Sequence, residues 1–110
     1  MVFRKRVRID TIRTLGFGAM SSNYAAIGTA ATRPTRMVYV YNSTDVDVFI
    51  SDNGVNDKFF IPTGSFLLLD LTTNRTRDDE FEHPELAVWY ARDNQVAATS
   101  GAVRLTLIHD

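Results

Sequence analysis

Asp78, Asp79, Glu80, Glu82, His83 and Glu85 concentrate titratable chemistry in one short stretch of this 110-residue chain. Carboxylate oxygens at that density suit a hard cation such as Mg2+ or Ca2+. Their spacing matches no defined site, so the stretch reads as a solvated acidic loop, with Asp78, Asp79, Glu80, Glu82 and Glu85 available to dock a basic partner. Asp52, Gly54, Asn56 and Asp57 resemble half of a calcium loop, but the glycine falls too early and no glutamate closes it. A tight turn accounts for them. His83 and His109 are the two histidines, and neither stands with a nucleophile in a pattern that general-base catalysis would use. Gly16 and Gly18 give only Gly-x-Gly, with no apolar strand before and no helix after, so phosphate binding is unsupported. The chain has no cysteine, which excludes disulfides and thiolate metal sites. These residues predict no enzyme, no metal and no cofactor.

Charge is more informative than chemistry. The formal net charge is −1, yet residues 1–36 hold seven basic side chains and one acid, and residues 37–110 hold five basic and twelve acidic ones. A basic leader thus precedes an acidic body. Arg4, Lys5, Arg6, Arg8 and Arg13 are its candidate contacts. They would neutralise phosphates, with Phe3 or Phe17 stacking on bases, or dock on an acidic protein, including another copy of this chain. The acidic body argues against an extended nucleic-acid groove, so any DNA contact is expected from the leader alone and without sequence preference.

The elements that would carry these residues are strands. Val38 and Val40 alternate with Tyr39 and Tyr41, and the Asn42-Ser43-Thr44 turn follows. Val46, Val48 and Ile50 then alternate with Asp45, Asp47 and Phe49, a period of two that buries the aliphatic side. Asn53-Gly54 predicts a hairpin turn, with residues 58–61 pairing back. Residues 65–71 are apolar on both faces, which requires either a central strand or a face that meets another protein. Residues 86–91 and 102–109 read as two further strands. Residues 72–85 read as a long polar connection, and residues 1–36, where periodicity is not sustained, as an extended basic arm and loop.

The expected architecture is all-β: a single antiparallel β-sandwich over residues 37–110, immunoglobulin-like or jelly-roll-like, with the basic arm over residues 1–36. One domain is what this length supports. No apolar run is long enough for a membrane helix and the start lacks a signal-peptide pattern, so a soluble chain with no membrane association, not secreted by the general route, is expected. Tyr39, Tyr41, Phe49, Phe66 and Leu68 are the apolar candidates for burial against a partner. Ordinary two-layer packing is the competing account for each.

Arg13-Thr14-Leu15-Gly16-Phe17, residues 24–28, residues 36–42, Thr44-Asp45, Ile50-Ser51-Asp52-Asn53-Gly54, Phe66-Leu67-Leu68-Leu69-Asp70 and Ser100-Gly101 together resemble small virion proteins of tailed bacteriophages. The similarity spans most of residues 13–108 and consists of strand and turn words without a catalytic signature. The resemblance implies a compact β-domain present in many copies, located in the virion and assembled in the host cytoplasm. Its first expectation is a neck or collar protein docking at the portal and head-tail connector through arm and sandwich. A capsid decoration protein that bridges copies of the major capsid protein is the alternative. A carbohydrate-binding module is a third reading, which would need Trp89 and Tyr90 exposed beside the acidic loop.

Overall fold

The computed structural model describes residues 8–70 and 87–109. Among them the chain forms β1 (Arg8–Ile9), β2 (Arg13–Gly16), β3 (Ala25–Ala26), β4 (Thr35–Asn42), β5 (Val48–Ser51), β6 (Phe59–Ile61), β7 (Phe66–Asp70), β8 (Tyr90–Asp93) and β9 (Ala102–His109). A five-stranded sheet runs β1-β9-β4-β7, with β2 also on β9, and a four-stranded sheet runs β3-β8-β5-β6. Every pairing is antiparallel. The expected antiparallel sandwich is the fold.

The pairings are nested. β5 pairs with β6, β4 with β7, β3 with β8 and β2 with β9. The chain is therefore doubled on itself around the β5–β6 loop, and the doubled ribbon is rolled so that successive pairs alternate between layers. This is jelly-roll order, which decides between the two sandwich types the sequence allowed.

Period-two alternation fills the interior. Val38 and Val40 on β4 and Val103, Leu105 and Leu107 on β9 face Val48 and Ile50 on β5, Ile61 on β6 and Ala91 on β8. Each fully buried aliphatic side chain contributes about 1.5–3 kcal/mol relative to an exposed one. Asn42 closes the crossover from β4 to β5. Its buried amide donates to the carbonyls of Val46 at 2.9 Å and Ile61 at 3.0 Å. Its Oδ1 accepts from the backbone N–H and hydroxyl of Thr44 at 3.0 and 2.6 Å. All of the amide's hydrogen-bonding capacity is used, and one side chain ties the two sheets together.

Two expectations need correction. The arm proposed for residues 1–36 is, from Arg8 onward, part of the sandwich, while residues 1–7 lie outside the described residues. β1 and β2 line one edge of β9, and β3 is an edge of the other sheet. Leu15, Met20, Ile27 and Ala31 are all buried. Backbone bonds from Ile27 to Trp89 at 2.7 Å and from Ala31 to Ala87 at 2.9 Å sew the segment down. The second correction concerns the strand expected at residues 86–91. β8 instead begins at Tyr90, and Trp89 precedes it as an irregular anchor only 2% exposed.

Gly101 shows why the β8–β9 turn needs glycine. Its φ is 84°, and a Cβ there would lie 2.0 Å from the Ser43 carbonyl oxygen. No other residue type fits so close an approach in the left-handed region.

Candidate functional site

Strand alternation leaves two outward faces. On the five-stranded sheet, β4 points Met37, Tyr39 and Tyr41 outward and β7 points Phe66, Leu68 and Asp70. The register places Leu68 opposite Tyr39 and Phe66 opposite Tyr41. Phe66 is 61% exposed and Leu68 50%, with the two tyrosines half-buried beside them. The rings of Tyr39 and Phe66 sit 5.6 Å apart and tilted by 33°, the diagonal contact expected between neighbouring antiparallel strands. Across β4, Tyr41 faces Arg104 and Tyr39 faces Thr106 on β9. Arg104 donates to the Ser43 hydroxyl at 2.6 Å, which fixes a cation at the end of the aromatic row.

β7 answers the choice posed by its two apolar faces. Leu67 and Leu69 pack on the core, and the strand is an edge, pairing only with β4 among the described residues. Phe66 and Leu68 therefore look outward without cover from the sandwich itself. Among the described residues, this outer apolar row and the edge of β7 away from β4 are the features best suited to meet another molecule.

The four-stranded sheet carries a different surface. Phe49 pairs with Phe60 on one side and Arg92 on the other. The phenyl rings lie 5.2 Å apart, the Arg92 guanidinium is 4.4 Å from the Phe49 ring centre, and it is 5.6 Å from that of Tyr24. Cation–π attraction at these distances helps hold the guanidinium beside the rings. Arg92 also grips Asp57, Nε to Oδ1 at 3.1 Å and Nη2 to Oδ2 at 2.8 Å. The Tyr24 hydroxyl donates to Asp57 as well. Burial, reinforced by the Asp57 carboxylate, pushes the Tyr24 phenol up to about 12. The bonds from Arg92 and Tyr24 hold the Asp57 carboxyl below its ordinary value.

The sequence-predicted contacts separate accordingly. Tyr39, Tyr41, Phe66 and Leu68 share one face as expected, whereas Phe49 lies on the opposite outer face of the sandwich, packed between Arg92 and Phe60. Arg8 is exposed on β1. Arg13 is an internal clamp with a side chain 9% exposed. It donates from Nε to Thr29 at 2.8 Å, from Nη2 to Ala30 at 3.2 Å and from Nη1 to Asp10 at 3.1 Å. Its position in register with Leu105 turns it inward, which removes it from the docking arm. Arg4, Lys5, Arg6 and the acidic residues Asp78, Asp79, Glu80, Glu82 and Glu85, with His83, lie outside the described residues. Trp89 is buried, so it offers no platform to a glycan. Among the described residues no group of three or more His, Cys, Asp or Glu side chains is placed to hold a metal.

Sequence reasoning missed the Tyr24, Asp57 and Arg92 cluster. These residues are 33 and 35 positions apart, and only the β3–β8–β5 pairing brings them together. No family model, curated protein or solved structure matches this chain.

Proposed function

We propose that this chain is a structural subunit of a tailed-bacteriophage virion, a neck or collar component. It docks at the portal and head-tail connector through the outer face of the five-stranded sheet. The observation that carries this reading is the exposure of Phe66 and Leu68 beside Tyr39 and Tyr41 on one face of an edge strand. Such a row is apolar enough to be buried in an assembly, and interfaces are enriched in aromatic side chains of this kind. The phage-like strand and turn words of residues 13–108 support the same reading. Jelly-roll order adds a fold-level analogy, since it occurs in viral capsid proteins.

In this reading the subunit is repeated, contacting copies of itself and neighbouring virion proteins by cyclic symmetry. Arg8 is exposed and adjoins the basic residues Arg4, Lys5 and Arg6, so the leader adds electrostatic attraction to an acidic partner or to packaged DNA. Gold-labelled antibody against the chain, imaged on intact virions, tests the reading. Label at the single head-tail vertex supports it. Label over the whole shell supports the decoration alternative against it, and unlabelled particles overturn both.

A further inference from the structure

The outer face of the four-stranded sheet carries a depression of about 520 Å3 that the assembly reading does not use. Its lining includes Ser22, Asn23, Tyr24, Val55, Asp57 and Arg92. We propose that this depression is a binding site for a neutral saccharide, independent of the docking face on the other sheet.

The polar groups are held in place before any ligand arrives. Arg92 sits 4.4 Å from the Phe49 ring centre and is locked to Asp57, and it also donates from Nη1 to the Asp93 carbonyl at 3.0 Å. Three of its five N–H groups are spent in this way, and the guanidinium also engages the Tyr24 hydroxyl, which leaves at least one donor for a ligand. The Tyr24 hydroxyl gives its proton to Asp57 and Ser22 gives its proton to the Asp93 carboxylate at 3.0 Å. Each oxygen keeps lone-pair capacity to accept, and both residues line the depression. The Asn23 side-chain amide makes no hydrogen bond among the described residues and adds a donor and an acceptor at the rim. Val55, 76% exposed, supplies an apolar wall, and the Tyr24 ring supplies an aromatic surface.

That combination matches a sugar ring, whose neighbouring hydroxyls donate and accept together and whose C–H face is apolar. A concave site with a few fixed polar groups and apolar lining is how small ligands are oriented, and preorganised donors and acceptors reduce the entropy lost on binding. Charge selects against other ligands. The cation of Arg92 is cancelled by Asp57. Lys58, the nearby cation on the same loop, lies 3.8 Å from Asp52. A phosphate or nucleic-acid backbone would thus meet carboxylates rather than free positive charge. A cationic peptide would compete with Arg92 for Asp57.

The experiment is a screen of the purified full chain against an array of neutral glycans, followed by two-dimensional amide NMR titration with the tightest-binding glycan. Inorganic phosphate, a single-stranded oligothymidylate and trilysine are titrated in parallel. The expected result is saturable shifts at Asn23, Tyr24, Val55 and Arg92 with the glycan and none with the other three. Asn23→Ala, which breaks no internal bond, should weaken binding about threefold to tenfold, the loss of one or two hydrogen bonds. Arg92→Ala should abolish it. A silent array, shifts elsewhere, or saturable binding of phosphate, oligothymidylate or trilysine at this site overturns the proposal. A Phe66→Ser and Leu68→Ser double variant should bind glycan unchanged, so the outcome here is separable from that of the docking face.

Discussion

Arg92 binds both carboxylate oxygens of Asp57, at 3.1 and 2.8 Å, although the two residues stand 35 positions apart on a strand and on the loop that caps the neighbouring strand. The Phe49 ring lies 4.4 Å from the guanidinium, so Phe49 packs against an ion pair on the outer face of the four-stranded sheet. Tyr24 completes the cluster from the loop before β3.

Tyr24 reports on this arrangement. Its phenol is raised to about 12, by burial first and by Asp57 second. A raised folded-state value favours the neutral phenol, so the contribution to stability is present below pH 10 and lost as pH rises through 12. Asp57→Asn should lower the Tyr24 value, because the carboxylate's bond and charge are lost while the Arg92 cation stays beside the phenol. NMR titration of the tyrosine ring carbons measures this, and an unchanged Tyr24 value in Asp57→Asn would show that the hydroxyl does not engage the carboxylate.

Acid should weaken the fold through three carboxylates held below their ordinary value of 3.8. Asp10 is held mainly by the Thr11 backbone N–H, Asp45 by the Thr99 hydroxyl and N–H, and Asp57 by Arg92 and then Tyr24. A depressed folded value means stability that is present above the unfolded value and lost as pH falls through the folded one. Asp45→Asn should therefore be less stable than the parent at pH 7, and the gap should narrow at pH 3. Urea denaturation at the two pH values checks this, and a gap equal at both would count against the Asp45 to Thr99 link.

Gly101 should not accept a side chain. With φ at 84° and the Ser43 oxygen 2.0 Å from any Cβ, Gly101→Ala is expected to cost at least about 3 kcal/mol and lower the Tm by more than about 10 °C. Gly54→Ala, where the nearest atom is a Tyr90 ring carbon at 3.3 Å, should be milder. Thermal unfolding by circular dichroism ranks the two, and equal losses would contradict the close approach at Gly101.

Arg13 and Arg8 should behave differently despite their proximity in sequence. Arg13→Ala removes the clamp on Thr29, Ala30 and Asp10 and should cost about 2–4 kcal/mol, whereas Arg8→Ala on the exposed edge should stay within about 0.5 kcal/mol. Chemical denaturation of the two variants decides, and a neutral Arg13→Ala would return that residue to the docking arm.

How much of this was legible in the sequence depended on periodicity. The alternation of residues 38–41 and 48–50, the Asn53-Gly54 turn and the doubly apolar residues 66–69 placed β4 to β7 because each strand carries its own pattern of burial. The segment before β4 carried none. Leu15, Met20, Ile27 and Ala31 are single anchors several positions apart, and a two-residue strand such as β3 has no period to read. Trp89 drew the predicted strand toward itself because an aromatic residue beside Tyr90 reads as strand, while its burial comes from packing in the interior ahead of β8. The outer row of Tyr39, Tyr41, Phe66 and Leu68 was legible from strand phase. The separation of Phe49 from that row required knowing that β5 belongs to the other sheet.

The central claim is that the outer face of the five-stranded sheet joins this chain to a virion. Its most direct measurement is incorporation of a Phe66→Ser and Leu68→Ser double variant, supplied in competition with the parent chain during particle assembly and quantified by mass spectrometry of purified virions. Both side chains are at least half exposed, so the variant should keep the parent's thermal unfolding midpoint within a few degrees, about the effect of surface substitutions. The account predicts that this folded variant is strongly depleted from virions relative to the parent. Incorporation of parent and folded variant in equal amounts would contradict it.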